Sequence, residues 1–194
     1  MGEPEPTATH LVLIRHGQST WNDSRRVQGQ RDDATLTPLG MKQAYDVAGS
    51  LRNETFDALY TSDLTRASHT ASIIARELGL SAEESVDLRE RNFGDMEGVS
   101  LDELTTSFSG IAKGWVVDAN AHAPGGESLD ELFGRCSGFV ERITTAWAGR
   151  RILIITHGGT IRAIRAYVEG RTMAGLEWDN VTNCSTWRLT TPRN

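Results

Sequence analysis

Two histidines occupy matching positions in the sequence, each directly after a run of apolar residues. Leu11–Ile14 leads into Arg15-His16-Gly17, and Ile152–Ile155 leads into Thr156-His157-Gly158. Such runs predict strands buried on both faces of a parallel sheet, where ligands bind beyond the carboxyl ends of the strands. The glycine after each histidine lets a backbone or a ligand approach closely. The spacing indicates a candidate site, although two hydrogen-bonded structural histidines would show the same pattern.

Two arginines are predicted to lie at the same edge of the sheet. Arg15 precedes the first histidine, and Arg66 lies in the first turn of the helix that follows the second strand. A buried cation at a strand end is costly unless it meets an anion. Two Arg and two His side chains from three strands therefore describe a pocket for a dianionic group such as phosphate. The alternative for Arg66 is a surface salt bridge with Asp63, which would contribute little to stability.

A series of ordered blocks resembles the histidine phosphatase superfamily, the phosphoglycerate-mutase-like clan. Residues 15–22 (RHGQSTWN) are similar to its R-H-G-[EQ]-[ST]-x-x-N signature, and residues 156–159 (THGG) are similar to its second histidine block. Further blocks agree in order and spacing at 36–44 (L-[TS]-x-x-G-x-x-Q-A), 62–71 (S-x-L-x-R-A-x-x-T-A), 88–98 (L-x-E-x-x-[FY]-G-x-[WL]-[EQ]-G) and 125–128 (GGES). The resemblance covers about residues 11–190, which is nearly the whole chain.

The resemblance implies a chemical role for each of five matching residues. His16 would be the nucleophile that forms a phosphohistidine, which divides ester hydrolysis into two displacements. The phosphoryl oxygens would be held by Arg15, Arg66 and His157, which would also stabilise the negative charge on the phosphoryl group during its transfer. Glu90 would be the general acid for the leaving alcohol and then the base for water. The alternative for Glu90 is a solvated carboxylate between its two arginine neighbours.

Further matching residues are expected to bind the substrate: Asn22, Gln28, Gly29 and Gly158. The resemblance implies that no metal and no cofactor take part, because the cations of the pocket are side chains. The sequence contains no H-E-x-x-H or D-x-D constellation. Two departures from the family pattern are Met96, in place of a common aromatic residue, and residues 31–34, which lengthen a loop. We expect the first to alter packing rather than chemistry.

The family divides into hydrolases and mutases that share one pocket. The resemblance implies that mutases have a basic insertion between the glutamate block and the second histidine, which holds a second phosphate and excludes water. Here residues 105–124 contain one lysine, Lys113, one histidine, His122, and no arginine. We therefore favour a phosphomonoester hydrolase acting on a small phosphorylated metabolite over a cofactor-dependent phosphoglycerate mutase. An inactive module that binds a phosphorylated ligand is a further alternative, disfavoured because His16 and Glu90 are both present.

The choice of substrate is left open by the sequence. The resemblance implies phosphosugars, phosphoglycerate-type acids, phosphoserine and α-ribazole phosphate as candidates. The expected specificity contacts are Lys113, Trp115, His122 and the arginine-rich segment 25–31.

The elements that must position these residues alternate between strands and helices. Besides the two central strands, we predict strands at 56–61, 85–88 and 182–190, with the last at an edge of the sheet. Helix starts are indicated by N-cap and capping-box residues at Thr37-Pro38 and Ser128, and helix ends by Gly79 and Gly149. Two more helices should begin at about Asp63 and after Gly159. The pattern predicts a single-domain three-layer α/β/α sandwich whose central sheet is mostly parallel, with an antiparallel edge strand.

Finer expectations concern one helix face and the irregular segments. Apolar spacing assigns five residues to the inner face of the helix after Thr37: Leu39, Ala44, Val47, Ala48 and Leu51. Residues 107–127 form one long insertion, a kind of loop that usually has a function or is mobile. We expect residues 1–9 to be a flexible tail and residues 10–194 to be the histidine phosphatase domain.

Composition limits the class of protein. The chain has 194 residues, of which 38% are hydrophobic and 24% charged, and this excludes wholesale disorder. A net charge of −6 argues against nucleic acid as a partner. Without an apolar run of about 18 residues or a signal-peptide pattern, we expect a cytoplasmic monomer or homodimer with no membrane partner. Cys136 and Cys184 are expected to be buried, unpaired thiols.

Overall fold

A five-stranded sheet forms the centre of the computed structural model, which describes residues 8–103, 120–173 and 180–191. The strand order is β3-β2-β4-β1-β5. The first four strands are parallel to their neighbours, and β5 is antiparallel to β1 at the edge. The predicted mostly parallel sheet with an antiparallel edge strand is therefore confirmed. The strands are β1 (His10–Arg15), β2 (Ala58–Ser62), β3 (Ala82–Ser85), β4 (Arg151–Thr156) and β5 (Thr186–Thr190).

Five α-helices lie wholly within the described residues, and the four longer ones cover the two faces of the sheet. They are α1 (Thr20–Asp23), α2 (Pro38–Leu51), α3 (Thr65–Leu78), α4 (Leu129–Ala146) and α5 (Gly158–Val168). Apolar residues of α2 and α3 pack with Val12 and Ile14 of β1, whereas those of α4 and α5 pack with Leu11 and Leu13. Because successive strand residues point to opposite faces, the apolar run of β1 serves both layers. The predicted α/β/α sandwich is confirmed.

Adjacent parallel strands bring the two histidines together. In the β1–β4 pair, Arg15 lies opposite Thr156, so His16 and His157 follow the strands side by side. The His16 N–H donates to the Thr156 carbonyl at 2.9 Å. The register of two apolar strands therefore places both side chains at one point on the carboxyl edge.

Local sequence signals account for several helix ends. Thr37 caps α2 by accepting the Gly40 N–H, and Ser128 and Glu131 form the predicted capping box of α4. Gly79 ends α3 in the left-handed conformation that favours glycine. The short α1 was not predicted, because its four residues are too few to show an apolar period. Its own capping box, made by Ser19 and Asn22, is a signal that reasoning on apolar spacing missed.

Two predicted strands are displaced. The strand predicted at 85–88 is wrong: β3 occupies Ala82–Ser85, and Val86–Leu88 form a 3₁₀ turn. This edge strand (AEES) is largely exposed, so it has no buried face and lacks the alternation that identifies a strand. The last strand begins at Thr186, four residues later than predicted.

The inner face of α2 differs from the prediction at its first turn. Leu39 is 49% exposed, while Gly40 is buried in its place. Here α2 contacts the loop after β1 so closely that a Cβ on Gly40 would lie 2.0 Å from the Gln18 carbonyl oxygen. A Cβ on Gly17 would likewise lie 2.4 Å from the Gly40 carbonyl oxygen. Backbone contact through two glycines thus takes the position that apolar spacing had given to Leu39.

Two smaller expectations need correction. Thr9, assigned to the flexible tail, is buried, because it exchanges hydrogen bonds with Thr191 and donates to the Trp147 carbonyl. Cys136 is buried as expected, but Cys184 is only half-buried, because it lies in the turn before β5 rather than in the core.

Part of the predicted insertion at 107–127, including Lys113 and Trp115, lies outside the described residues, as do residues 1–7 of the predicted tail. Among the described residues, no helix has the length and apolar character that crossing a membrane requires. Met96 packs with Val27 and Ala123 in a small apolar cluster, which agrees with the expected packing role.

The contact between the two glycines generates a stability prediction. Gly40→Ala should destabilise the fold by about 2 kcal/mol or more, because its Cβ meets backbone that cannot rotate away. Gly49→Ala, on an exposed turn of the same helix with nothing within 4 Å of its Cβ, should instead stabilise by about 0.5–1 kcal/mol. Urea denaturation of both variants measures the difference. Equal stability of the two variants would contradict the close approach.

Candidate active site

The His16 ring is held in one tautomer by the backbone. The side chain is 2% exposed, and its Nδ1 lies 2.7 Å from the Gly17 carbonyl oxygen. Because a carbonyl only accepts, Nδ1 bears the hydrogen in the neutral ring. Nε2 is therefore the nitrogen with the lone pair, which the sequence alone could not decide.

His157 faces His16 from the neighbouring strand. The ring centroids are 5.1 Å apart, at an interplanar angle of 59°. His157 is fully buried, and in the part of the chain that the structure describes neither ring nitrogen has a hydrogen-bond partner. Buried polar atoms are normally paired, so an unpaired ring at this position points to a ligand.

The two predicted arginines reach the same place from different elements. Arg15 donates through Nη1 to the Val181 carbonyl at 2.5 Å, and Arg66 donates through Nη2 to the Gly29 carbonyl at 2.7 Å. The Nε atom of each is buried and has no partner among the described residues. Two guanidinium groups with unsatisfied N–H donors can receive the oxygens of a phosphoryl group.

The surface alternative for Arg66 is wrong. Arg66 is completely buried, and Asp63 pairs instead with Arg89 through two hydrogen bonds. Arg66 also donates through Nη1 to the Arg31 carbonyl at 3.2 Å.

The lengthened loop at residues 31–34 also contacts the start of the helix that holds Arg66. Asp32 accepts hydrogen bonds from the backbone N–H and the hydroxyl of Thr65, and so caps that helix.

Glu90 lies at the amino end of α5. Its Oε2 accepts the Gly159 N–H at 3.0 Å, and its Oε1 accepts the Arg91 N–H at 2.8 Å. A Cβ at residue 159 would lie 2.3 Å from Oε1, so the second glycine of the pair admits the carboxylate. Both oxygens of the half-buried carboxylate accept from backbone, whereas Arg89 bonds Asp63 and Arg91 bonds the carbonyls of Ala121 and Glu127, and this argues against the solvated alternative.

Gly158 lies between the acid and the cations. The point where its Cβ would be is 4.0 Å from both Arg15 Nε and Glu90 Oε2. The same point is 3.3 Å from a terminal nitrogen of Arg162, one helical turn further along α5. Arg162 is therefore a third guanidinium beside the site, which the sequence reasoning missed. Its position on the turn after His157 is the signal that could have identified it.

Asn22 and Gln28 converge on Ser19 at the rim. Asn22 Oδ1 accepts the Ser19 N–H at 3.1 Å, and Gln28 Oε1 accepts the Ser19 hydroxyl at 2.6 Å. With both carbonyl oxygens engaged, the amide N–H groups are what these side chains can offer an anion. Asn183, which was not predicted, donates to Asn22 Oδ1 and to the His16 carbonyl.

Burial and nearby cations set the protonation of the histidines. The pKa of His16 is held well below its ordinary value, first by burial and then by Arg66 and Arg15. The pKa of His157 is lowered by burial, by Arg66 and by His16. Both rings are therefore neutral near pH 7, so His16 presents a lone pair without needing an adjacent base. In the described ranges, no three His, Cys, Asp or Glu side chains are grouped as a metal site would require.

Fold and site together define an α/β protein with two arginines and two neutral histidines at the carboxyl edge of a mostly parallel sheet. A family model, the histidine phosphatase superfamily (branch 1), matches residues 11–194. The chain belongs to the histidine phosphatase superfamily. The family resemblance of the sequence, and the expected class of enzyme, are confirmed.

Individual relatives have both mutase and phosphatase names. The chain is 40% identical over 158 residues to phosphoglycerate mutase-like protein 4 of Arabidopsis thaliana, covering 79% of this chain and 68% of the relative. It is 36% identical over 175 residues to a metal-independent phosphoserine phosphatase of the same plant, covering 88% and 73%. The solved structure of a mycobacterial glucosyl-3-phosphoglycerate phosphatase matches with a TM-score of 0.84 at 30% identity, covering 94% and 90%.

The two buried histidines predict a pH-dependent stability. The unfolded chain binds protons at both histidines near pH 6.5, whereas the folded chain does so only at much lower pH. Their contribution is complete above pH 6.5 and is lost as pH falls, by about 2–3 kcal/mol in total between pH 7.5 and 5.5. Urea denaturation in phosphate-free buffer measures this loss.

The matched variants of this experiment differ in burial. His16→Gln combined with His157→Gln should abolish most of the dependence, whereas His69→Gln, at an exposed position on α3, should retain it. A wild-type protein equally stable at both pH values would refute neutral burial of the pair.

Proposed function

We propose that this protein hydrolyses phosphate monoesters through a phosphohistidine on His16. The observation that supports this most directly is the convergence of unpaired donors on Arg15, Arg66 and His157 around a neutral His16 whose Nε2 has the lone pair. Anion-binding groups and a nucleophile then surround the same phosphorus atom.

In the first displacement, His16 Nε2 attacks phosphorus, and the bond from phosphorus to the ester oxygen breaks. Glu90, in its protonated form, gives its proton to the leaving oxygen, so an alcohol departs. The phosphoryl group is then bonded to Nε2, while the Gly17 carbonyl holds the Nδ1 hydrogen and stabilises the imidazolium that has formed.

In the second displacement, water attacks phosphorus from the side that the alcohol has left. Glu90, now a carboxylate, takes a proton from the water, and the bond from Nε2 to phosphorus breaks. Inorganic phosphate leaves, and His16 returns to the neutral ring. The same carboxyl group serves both steps because the two reacting oxygens occupy the same position.

The charge on the transferring group is met by side chains. Arg15 and Arg66 supply fixed guanidinium groups, and the His157 N–H donates to a third oxygen. We propose that catalysis is metal-independent for this reason, and one relative has that property in its name. Asn22 and Gln28 add amide donors at the rim, and Gly158 leaves room for the substrate beside Arg15 and Glu90. Gly29 acts indirectly, because its carbonyl accepts from Arg66.

Hydrolysis is favoured over phosphoryl transfer between substrate positions. A mutase needs cations for a second phosphate, and residues 105–124 contain only Lys113 and His122 as basic residues. Phosphatase names occur among the relatives and the solved structures. The proposed substrate class is a small phosphorylated metabolite; those names mention phosphoserine and a phosphoglycerate derivative. An inactive binding module is not favoured, because it has no use for a positioned Glu90.

Removal of the nucleophile tests this proposal. His16→Ala should lower kcat by at least about 10³, because no other side chain can form the covalent intermediate. Wild-type protein quenched during turnover of a ³²P-labelled monoester should retain an acid-labile, base-stable label, and the variant should retain none. The measurement is the label on the denatured protein together with the release of inorganic phosphate.

The opposing outcomes of this test are distinct. Near-normal turnover by the variant would eliminate His16 as the nucleophile. A second measurement follows the isomerisation of 3-phosphoglycerate in the presence of 2,3-bisphosphoglycerate. If isomerisation is faster than phosphate release from the best monoester, the protein is a mutase and the proposed hydrolase function is wrong.

Leaving-group dependence tests the role of Glu90. General acid catalysis contributes about 10²–10⁴, and most where the leaving group is poor. Glu90→Gln should therefore slow an alkyl phosphate far more than p-nitrophenyl phosphate, whose leaving group departs without a proton. Glu84→Gln, on the exposed edge strand β3, is the matched control and should change neither rate. Equal slowing of both substrates by Glu90→Gln would assign Glu90 a structural or electrostatic role.

A further inference from the structure

Glu97 lies in the same sequence block, 88–98, as Glu90, but the proposed mechanism gives Glu97 no role. Its carboxylate is half-buried and accepts three backbone N–H groups. Oε1 accepts from Gln30 at 2.8 Å and from Phe93 at 3.0 Å, and Oε2 accepts from Arg31 at 2.9 Å. One side chain therefore joins the loop around residue 30 to the segment that follows Glu90.

The carbonyls of the same loop hold the buried guanidinium of Arg66. Gly29 accepts from Nη2 at 2.7 Å, and Arg31 accepts from Nη1 at 3.2 Å. The Gly29 carbonyl and the Gln30 N–H belong to one trans peptide group and point in opposite directions. That peptide is bonded to a guanidinium at its oxygen and to a carboxylate at its nitrogen, so each bond polarises and strengthens the other.

From this arrangement we infer that Glu97 is a positioning residue, which orients the phosphate-binding guanidinium of Arg66 through the peptide between Gly29 and Gln30. The inference rests on the proposed function for the role of Arg66. Glu97 itself does not contact the reacting atoms. Its effect passes through the peptide plane, whose rotation would turn the Gly29 carbonyl away from Arg66.

The residue at 29 makes such an anchor necessary. Gly29 has φ +55°, and a Cβ there would lie 1.9 Å from Glu97 Oε1, so only glycine admits the carboxylate. Glycine also leaves the adjoining peptide free to rotate, since positive and negative φ are equally accessible to it. The Glu97 carboxylate thus restrains the peptide plane between Gly29 and Gln30, which glycine alone would leave free to rotate.

The charge of Glu97 acts in the same direction. Burial lowers the pKa of Arg66, and Glu90, Asp32 and Glu97 oppose that effect in this order. Gln30 extends the connection to the acid–base residue, because its Nε2 donates to the Glu90 carbonyl at 3.1 Å. The loop that Glu97 holds therefore contacts both the phosphate clamp and the segment that bears the general acid.

Orthovanadate binding, followed by calorimetry, tests the inference without requiring turnover. Glu97→Gln should raise the Kd for orthovanadate by about tenfold or more, because the amide cannot accept at both positions and has lost the charge. Glu84→Gln, an exposed control, should leave the Kd unchanged. A purely structural role would reduce the fraction of competent protein, which lowers the measured stoichiometry and leaves the Kd unaltered.

A double-mutant cycle identifies the path of the effect. In an Arg66→Gln background, adding Glu97→Gln should change the Kd by less than about twofold, because the two residues act through one contact. An additive effect, or an unchanged Kd in folded Glu97→Gln, would overturn the inference. If Glu97→Gln does not fold, Gly29→Ala decides, since its Cβ must displace the carboxylate. A raised Kd supports the inference and a wild-type Kd overturns it.

Turnover of monoesters by the wild-type protein is measured separately. If orthovanadate binding depends on Glu97 through Arg66 but no monoester is hydrolysed, the proposed function fails while the positioning role holds. If monoesters are hydrolysed and the Kd for orthovanadate is insensitive to Glu97→Gln, the positioning role fails while the proposed function holds.

Discussion

Two guanidinium groups lie at the carboxyl edge of the sheet, the fully buried one of Arg66 and the half-buried one of Arg15, and among the described residues neither is hydrogen-bonded to a carboxylate. Backbone carbonyls satisfy their terminal nitrogens, and the Nε atoms have no partner within the described residues. Carbonyl dipoles offset only part of the cost of burying a cation, so the pocket favours an anion. Burial first, and then the positive field of these arginines, hold the pKa values of His16 and His157 well below the ordinary value, so both rings are neutral beside the two cations.

Contacts elsewhere in the fold place the Glu90 carboxylate beside these two arginines. Arg135 of α4 donates to the carbonyls of Asp87, Arg89 and Glu90, and it pairs with Glu127. Hydroxyl groups of β4 and α5 hold the carbonyls of residues 88 and 89. The segment that bears Glu90 is thus fixed by its backbone, which leaves the carboxyl group to face α5 and the pocket. The proposed mechanism requires such support, because one carboxyl group would have to meet the leaving oxygen and the attacking water at one position.

Close contacts at glycine residues recur around the candidate site. The glycines at 17 and 40 let α2 touch the loop after His16, Gly29 admits Glu97, and Gly159 admits Glu90. Each contact removes a side chain in order to place a backbone or carboxylate oxygen within hydrogen-bonding range. Gly17, Gly40 and Gly159 lie in the sequence blocks that resemble the family, and the structure gives each of the three a steric reason.

The sequence by itself determined the features that depend on short-range patterns. Continuous apolar runs predicted β1 and β4, N-cap residues predicted the starts of α2 and α4, and strand-end positions predicted that His16 and His157 would meet. Tertiary structure decided what depends on distant partners: Asp63 pairs with Arg89 rather than Arg66, Leu39 yields the inner face to Gly40, and β3 lies where no alternation marks it. The alternation of buried and exposed positions depends on residues that are neighbours in the sequence. The ion-pair partner of a charged side chain, or the backbone that contacts a glycine, comes from distant chain segments that only folding brings together.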